Sequence, residues 1–172
     1  VETACGPGLI ARAIAARVAA VVGIDLTPAM IEKARADANE VGVENVSFEV
    51  GDAYALPTSE PPCDAAFAGH WLSHVPKARC REFLAGLHGV LAPGATVVLL
   101  DNRYVEGSST PVSEVDAAGD TWQMRTLADG SRHRVLKNFP DEAALRSLVE
   151  GLGTDAVYTS WPHYWALRYR TA

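Results

Sequence analysis

Apolar residues along the chain fall into short runs of about five. Between them lie longer stretches where apolar positions recur every three or four residues, so strands alternate with helices. Residues 1–4 read as the tail of a strand, 9–20 as an Ala-rich helix and 21–25 as a buried strand. Thr27 and Pro28 then supply an N-cap and a first-turn proline for a helix running to about Asn39. Strands follow at 46–50 and 64–68. A helix is predicted from about Pro76 to Leu91, stopped by Pro93-Gly94, before the most strand-like run, 96–101.

The pattern changes in the second half. Residues 107–119 form a polar, Ser/Thr-rich stretch read as a loop, and 121–127 and 132–137 flank the hairpin turn signal Asp129-Gly130. Phe139-Pro140 leads into a helix over 141–152 with acids in its first turn. Runs at 156–161 and 164–170 are joined across Pro162-His163, a connection so tight that the two strands must be antiparallel. The order predicts an α/β fold: one domain over residues 1–172, with a loop-and-hairpin insertion at about 106–137.

Composition narrows the function classes. The 172 residues suffice for one domain, and 48% hydrophobic with 21% charged residues is ordinary for a globular chain. A net charge of −6 without any Lys/Arg run argues against nucleic acid and for a small molecule as partner. Cys5, Cys63 and Cys80 form neither a zinc pattern nor a disulfide framework, which suits a reducing cytoplasm. No stretch is long and apolar enough to suggest a membrane span, and the composition leaves the oligomeric state open. The chain opens at Val1 and runs at once into a functional-looking motif, so further residues completing the first strand are expected ahead of it.

That motif is Glu2-Thr3-Ala4-Cys5-Gly6-Pro7-Gly8, at a strand end and a helix start. Glycines there admit a ligand close to the backbone, and the helix start offers unpaired N–H groups. Asp25 ends the next strand, 19 residues after Gly6, where a carboxylate can accept both ribose hydroxyls of a nucleoside. Residues 6–11 also fit the GxGxxA form of a dinucleotide fingerprint, so the glycines alone do not choose between nucleoside cofactors. Three features tilt the choice away from a dinucleotide. Glu2 is an acid that a pyrophosphate loop would not want nearby. Asp52, in Gly51-Asp52-Ala53, ends the third strand where it can meet an adenine amino group. The C-terminal half holds no second dinucleotide half.

With these residues the chain resembles class I S-adenosylmethionine-dependent methyltransferases. Their first motif, E/D-x-G-x-G-x-G, is matched here with Ala4 in place of the first glycine, and the likeness extends over essentially the whole chain. The resemblance implies a Rossmann-like three-layer sandwich whose mostly parallel seven-stranded sheet has the order 3-2-1-4-5-7-6, with an antiparallel C-terminal hairpin and an incomplete first strand. It further implies that Glu2 orients the glycine loop and the methionine ammonium, with Ala4, Cys5 (through its backbone) and Gly6 contacting the cofactor. Asp25 would hold the ribose, Leu26 and Met30 flank the adenine, and Asp52 and Ala53 read its edge. For Met30 a core position on its helix is the competing reading.

The junction after strand 4, residues 68–76, faces the transferable methyl in this family. His70 or His74 is a candidate base there, since imidazole titrates near neutral pH; the alternative is a cap on the following helix. The two histidines lack an obvious third metal ligand, so no metal is expected. Trp71 is a candidate wall of the methyl channel or a core residue, and Asp101 and Arg103 are candidate substrate contacts. The implied activity is methyl transfer to oxygen or nitrogen of a small acceptor. The rivals are an NAD(P)-dependent oxidoreductase and a non-catalytic S-adenosylmethionine-binding module.

Overall fold

The computed structural model describes residues 1–172. In chain order the strands and helices are β1 (Glu2–Thr3), α1 (Leu9–Ala15), β2 (Val21–Asp25), α2 (Pro28–Glu40), β3 (Val46–Val50), β4 (Cys63–Gly69), α3 (Cys80–His88) and β5 (Leu91–Asn102). There follow β6 (Val112–Val115), β7 (Thr121–Thr126), β8 (Arg132–Leu136), α4 (Glu142–Val149), β9 (Gly153–Ser160) and β10 (Tyr164–Thr171). Seven strands make one sheet ordered β3-β2-β1-β4-β5-β10-β9. Its first five members pair in parallel, and β10 runs antiparallel to both β5 and β9. This is the expected Rossmann-like sheet with its antiparallel finish.

Cross-strand partners share a face of a sheet, so the register assigns the two layers around it. Glu2, Gly23 and Phe48 lie on one face, where α1 and α2 bury Ala11, Ala15, Ile31 and Ala34. Thr3, Ala68, Leu99 and Leu167 lie on the other, which carries the larger cluster with Phe83, Leu87, Leu145 and Trp165 from α3, α4 and β10. β1 sits between β2 and β4 at the centre, so the glycine loop after Thr3 leaves from the middle of the sheet.

Several boundaries depart from the sequence pattern for local reasons. The helix expected over 9–20 stops at Ala15. The Asn45 side-chain amide donates to the carbonyls of Ala15, Val18 and Ala19, at 2.8, 3.0 and 3.3 Å, and so satisfies groups that a longer helix would have used itself. The helix expected from Pro76 begins as a 3₁₀ turn over Lys77–Arg79 and is regular only from Cys80 to His88. Pro93-Gly94 does not stop it. Both residues lie inside β5, where the register against β4 slips between Cys63 and Ala65 and Gly94 has φ of 73°.

The stretch read as a loop over 107–119 contains β6, which with β7 and β8 makes a separate antiparallel sheet, β6-β7-β8. Inside it the Arg134 guanidinium stacks 3.5 Å from the Trp122 ring, and the Trp122 indole donates to Asp116 Oδ2 at 2.9 Å. This small sheet lies at the carboxyl end of β5.

Two glycines of the first loop are required for different reasons. Gly6 has φ of 53° with open space where a side chain would go, whereas at Gly8 (φ 70°) a Cβ would stand 2.4 Å from the Phe48 ring. Ala4 holds φ of 51° without being glycine. Gly6→Ala should therefore lower unfolding free energy by about 1–2 kcal/mol from backbone strain alone. Gly8→Ala should lose roughly 2–5 kcal/mol, because overpacking adds to that strain. Ala4→Gly should be neutral or stabilising by up to about 1 kcal/mol. Urea denaturation of the three variants tests this order.

Candidate active site

The loop after β1 is held by its neighbours before any ligand arrives. The Cys5 amide donates to the Ile24 carbonyl, and the Gly6 amide donates to Asp25 Oδ2 at 2.9 Å. Asp25 Oδ1 accepts from the Thr27 amide at 2.9 Å, so one carboxylate ties the glycine loop to the start of α2. Two lone-pair sites on that carboxylate stay available to hydroxyl donors. Asp52 is exposed and turns its own strand end, accepting from the Tyr54 amide at 2.9 Å. Ala53 beside it is buried in the larger core cluster.

Glu2 is the least ordinary group here. It is buried, and its Oε2 has no hydrogen-bond partner. Burial pushes its carboxyl up to about 7, a rise only partly offset by the Ala11 amide and the charge of the Val1 amino group. A buried acceptor without a donor is a standing penalty, and an ammonium is the natural remedy. Leu26 and Met30 lie 68% and 38% exposed, so Met30 is not the core residue its helical spacing suggested. Open glycine backbone, two partly free acids, an orphaned carboxylate and exposed apolar side chains fit a nucleoside bearing an amino acid. Cys5 is buried at the loop's base. Burial first, then the charges of Glu2 and Asp25, push its thiol up to about 12, leaving it chemically quiet.

The second part of the site is built where β5 meets the inserted sheet. The Lys137 ammonium is buried and donates to Asp101 Oδ1 at 3.0 Å, Ser73 Oγ at 2.7 Å and Asn102 Oδ1 at 3.2 Å. Asp101 Oδ1 also accepts from the Asn102 amide, and Oδ2 accepts from the Ser73 amide at 3.0 Å. Asp101, expected at the substrate, is thus fully buried with both oxygens engaged inside the protein. Its role here is corrected to anchoring the insertion. Lys137 escaped the sequence reading because a lysine ending a hairpin strand gives no sign that it turns inward.

This network orients His70. An ammonium can only donate, so Asn102 must point its oxygen at Lys137. The same oxygen lies 3.3 Å from His70 Nδ1, which must then be the donor. The neutral ring therefore carries its lone pair on Nε2. His70 is exposed and holds φ of 56°, a left-handed conformation of the kind that clusters at functional sites. His74 is half-buried, and burial with the Lys137 charge holds its imidazole below the usual range against the pull of Asp101. Trp71 packs edge-on to Tyr54 and Phe83, at 6.2 and 6.3 Å between ring centres, against the core, with its indole N–H unpartnered. Arg103 is exposed in a cavity of about 350 Å³ between β5, β10 and the inserted sheet.

Two outcomes follow from the buried charges. The Glu2 carboxyl sits near 7 in the folded chain against its ordinary 4.5. The folded state therefore holds the proton longer, and stability falls as pH rises between those values. Glu2→Gln should match the parent near pH 4 and be more stable at pH 8 by up to ~3 kcal/mol, read from ligand-free thermal melts. Lys137→Met leaves Asp101 buried without its counter-charge and should destabilise by roughly 3–5 kcal/mol. Adding Asp101→Leu in the same chain should recover part of that loss, a result that urea denaturation can check.

A family model described as a methyltransferase domain matches residues 1–94. The trans-aconitate 2-methyltransferase of Methylobacterium radiotolerans is 34% identical over 122 residues, covering 69% of this chain and 44% of that protein. An uncharacterized RNA methyltransferase of Listeria monocytogenes is 45% identical over 53 residues, covering 31% of this chain and 12% of that protein. Among solved structures, the DhpI-SAM-HEP complex superposes with a TM-score of 0.78 at 28% identity, covering 98% of this chain and 76% of that one. This chain is thus similar to less than half the length of either curated relative. The family match spans more than half of the 172 residues, Glu2 and its glycine loop among them, and the chain belongs to the methyltransferase domain family.

Proposed function

We propose that the protein transfers a methyl group from S-adenosylmethionine to an oxygen or nitrogen of a small-molecule acceptor. The observation that carries this reading is the buried Glu2 carboxyl, whose Oε2 has no hydrogen-bond partner, beside the left-handed glycine loop. An amino-acid ammonium would pair with it, whereas a pyrophosphate would be repelled. The similarity to a structure in complex with SAM supports the same cofactor. Residues 1–172 act as one catalytic domain, with residues 106–137 as its specificity insertion.

Asp25 would accept the ribose hydroxyls while keeping the Gly6 amide. Ala4, Cys5 and Gly6 would line the cofactor with their backbone, Leu26 and Met30 flank the adenine, and Asp52 and Ala53 meet its edge. Bound there, S-adenosylmethionine supplies a methyl on a sulfonium sulfur, which keeps the C–S electron pair as the acceptor's new O–CH₃ or N–CH₃ bond forms. His70 takes the acceptor's proton on Nε2, the nitrogen left free by the Asn102 contact. His74, biased toward its neutral form by burial and the Lys137 charge, serves as a packing partner.

Calorimetry should show binding of S-adenosylmethionine and S-adenosylhomocysteine and none of NAD. Asp25→Asn should weaken S-adenosylmethionine by roughly 1.5–3 kcal/mol, the range for hydrogen bonds to charged groups. With methyl-labelled cofactor and cell extract, label should enter the small-metabolite fraction, and His70→Ala should slow that transfer about 10²–10⁴-fold without changing cofactor affinity. Tight NAD binding without S-adenosylmethionine binding points to an oxidoreductase. Cofactor binding without transfer points to a binding module, and label in RNA rejects the small-molecule acceptor.

A further inference from the structure

The cavity at the carboxyl end of β5 has a charge opposite to that of the chain. The protein carries a net charge of −6, yet Arg103, Arg125 and Lys137 line this space and no Asp or Glu does. Lys137 is matched by Asp101. The two arginines are not matched. Neither Arg103 nor Arg125 has a carboxylate within salt-bridge distance, and no acid lines the space to supply one. Two guanidinium groups without a carboxylate partner lining one small space make it positive and suited to an anion.

Both are also held in place. Arg103 donates from its guanidinium to the Trp161 carbonyl at 3.0 Å, and Arg125 to Gln123 Oε1 at 3.4 Å. Gln123 is itself buried and donates to the Thr110 carbonyl. Cations tethered in advance lose less freedom on binding. Guanidinium presents a planar fork that suits carboxylate and phosphonate oxygens. The volume, about 350 Å³, admits a small metabolite.

The space adjoins the proposed base. Asn102 and Tyr164 both line it, and both touch His70: Asn102 through the 3.3 Å contact, and Tyr164 edge-on with ring centres 5.9 Å apart. We infer that this cleft binds the anionic group of the acceptor, a carboxylate or phosphonate, between Arg103 and Arg125. The bound group would leave the acceptor's nucleophilic atom toward His70. This inference rests on the methyl-transfer reading for the identity of the ligand as acceptor, but anion binding itself can be measured without the cofactor.

The test titrates malonate and methylphosphonate, with malonamide and dimethyl methylphosphonate as their neutral counterparts, into the full chain at constant ionic strength. Binding is read by calorimetry and by the NMR signals of the His70 ring. At least one anion should saturate the site and shift the His70 signals, and the neutral counterparts should not. Which anion does so separates a carboxylate acceptor from a phosphonate one. Arg103→Met and Arg125→Met should each weaken it about 10–100-fold, and Arg103→Lys should lose less than Arg103→Met. Arg132→Met, an exposed arginine of β8 outside the cleft, should change nothing. S-adenosylmethionine affinity, measured on the same variants, should stay at the parent value. Equal binding of neutral compounds, or anion binding indifferent to both arginines, overturns the inference. Failure of the parent chain to bind S-adenosylmethionine instead removes the methyl-transfer reading and leaves the anion result to stand or fall by itself.

Discussion

The pairing of Lys137 with Asp101 is the contact on which the functional end of the molecule depends. A buried ammonium in this position is tolerable only because Asp101, Ser73 and Asn102 together meet its three protons. The pairing seats the inserted sheet on the end of β5. It also turns the Asn102 amide and so decides which nitrogen of His70 keeps a lone pair. The wall that carries Arg125 stands where it does because the last strand of the insertion ends at that lysine. Stability and chemistry are thus coupled through one buried charge pair.

The glycine-loop end of the sheet rests on a different logic. Its geometry is fixed by backbone conformation and by the Asp25 carboxylate, which reaches both the glycine loop and the start of α2. The loop is therefore shaped in advance, and only Glu2 waits for a counter-charge. Ala4, standing where the family pattern has glycine, keeps the left-handed conformation at some expense in strain.

Much of this was legible from residue order, because it rests on local rules. The glycine loop, the acid at the end of β2, the Asp129-Gly130 hairpin and the closing antiparallel pair each leave a signature within a few residues. The parts that escaped depend on residues distant in the chain. Asn45 shortens α1 from 30 positions away, and Lys137 draws Asp101 inward across 36. Neither contact has a periodicity or a motif to announce it. Asp101 looked like a surface acid at a strand end because its partner lies in another sheet. Met30 had core spacing, yet it is exposed like Leu26, since α2 buries Ile31, Ala34 and Ala38 instead.

The buried thiol at the base of the glycine loop has a consequence for life under oxidants. With its ionisation pushed up by burial, Cys5 stays a thiol at neutral pH. Peroxides and alkylating agents attack the thiolate, so they should spare the one sulfur that touches the loop. Cys63 is half-buried and lies away from it, where its modification would leave the loop's geometry intact. The glycine loop thereby contains a cysteine without acquiring a redox sensitivity.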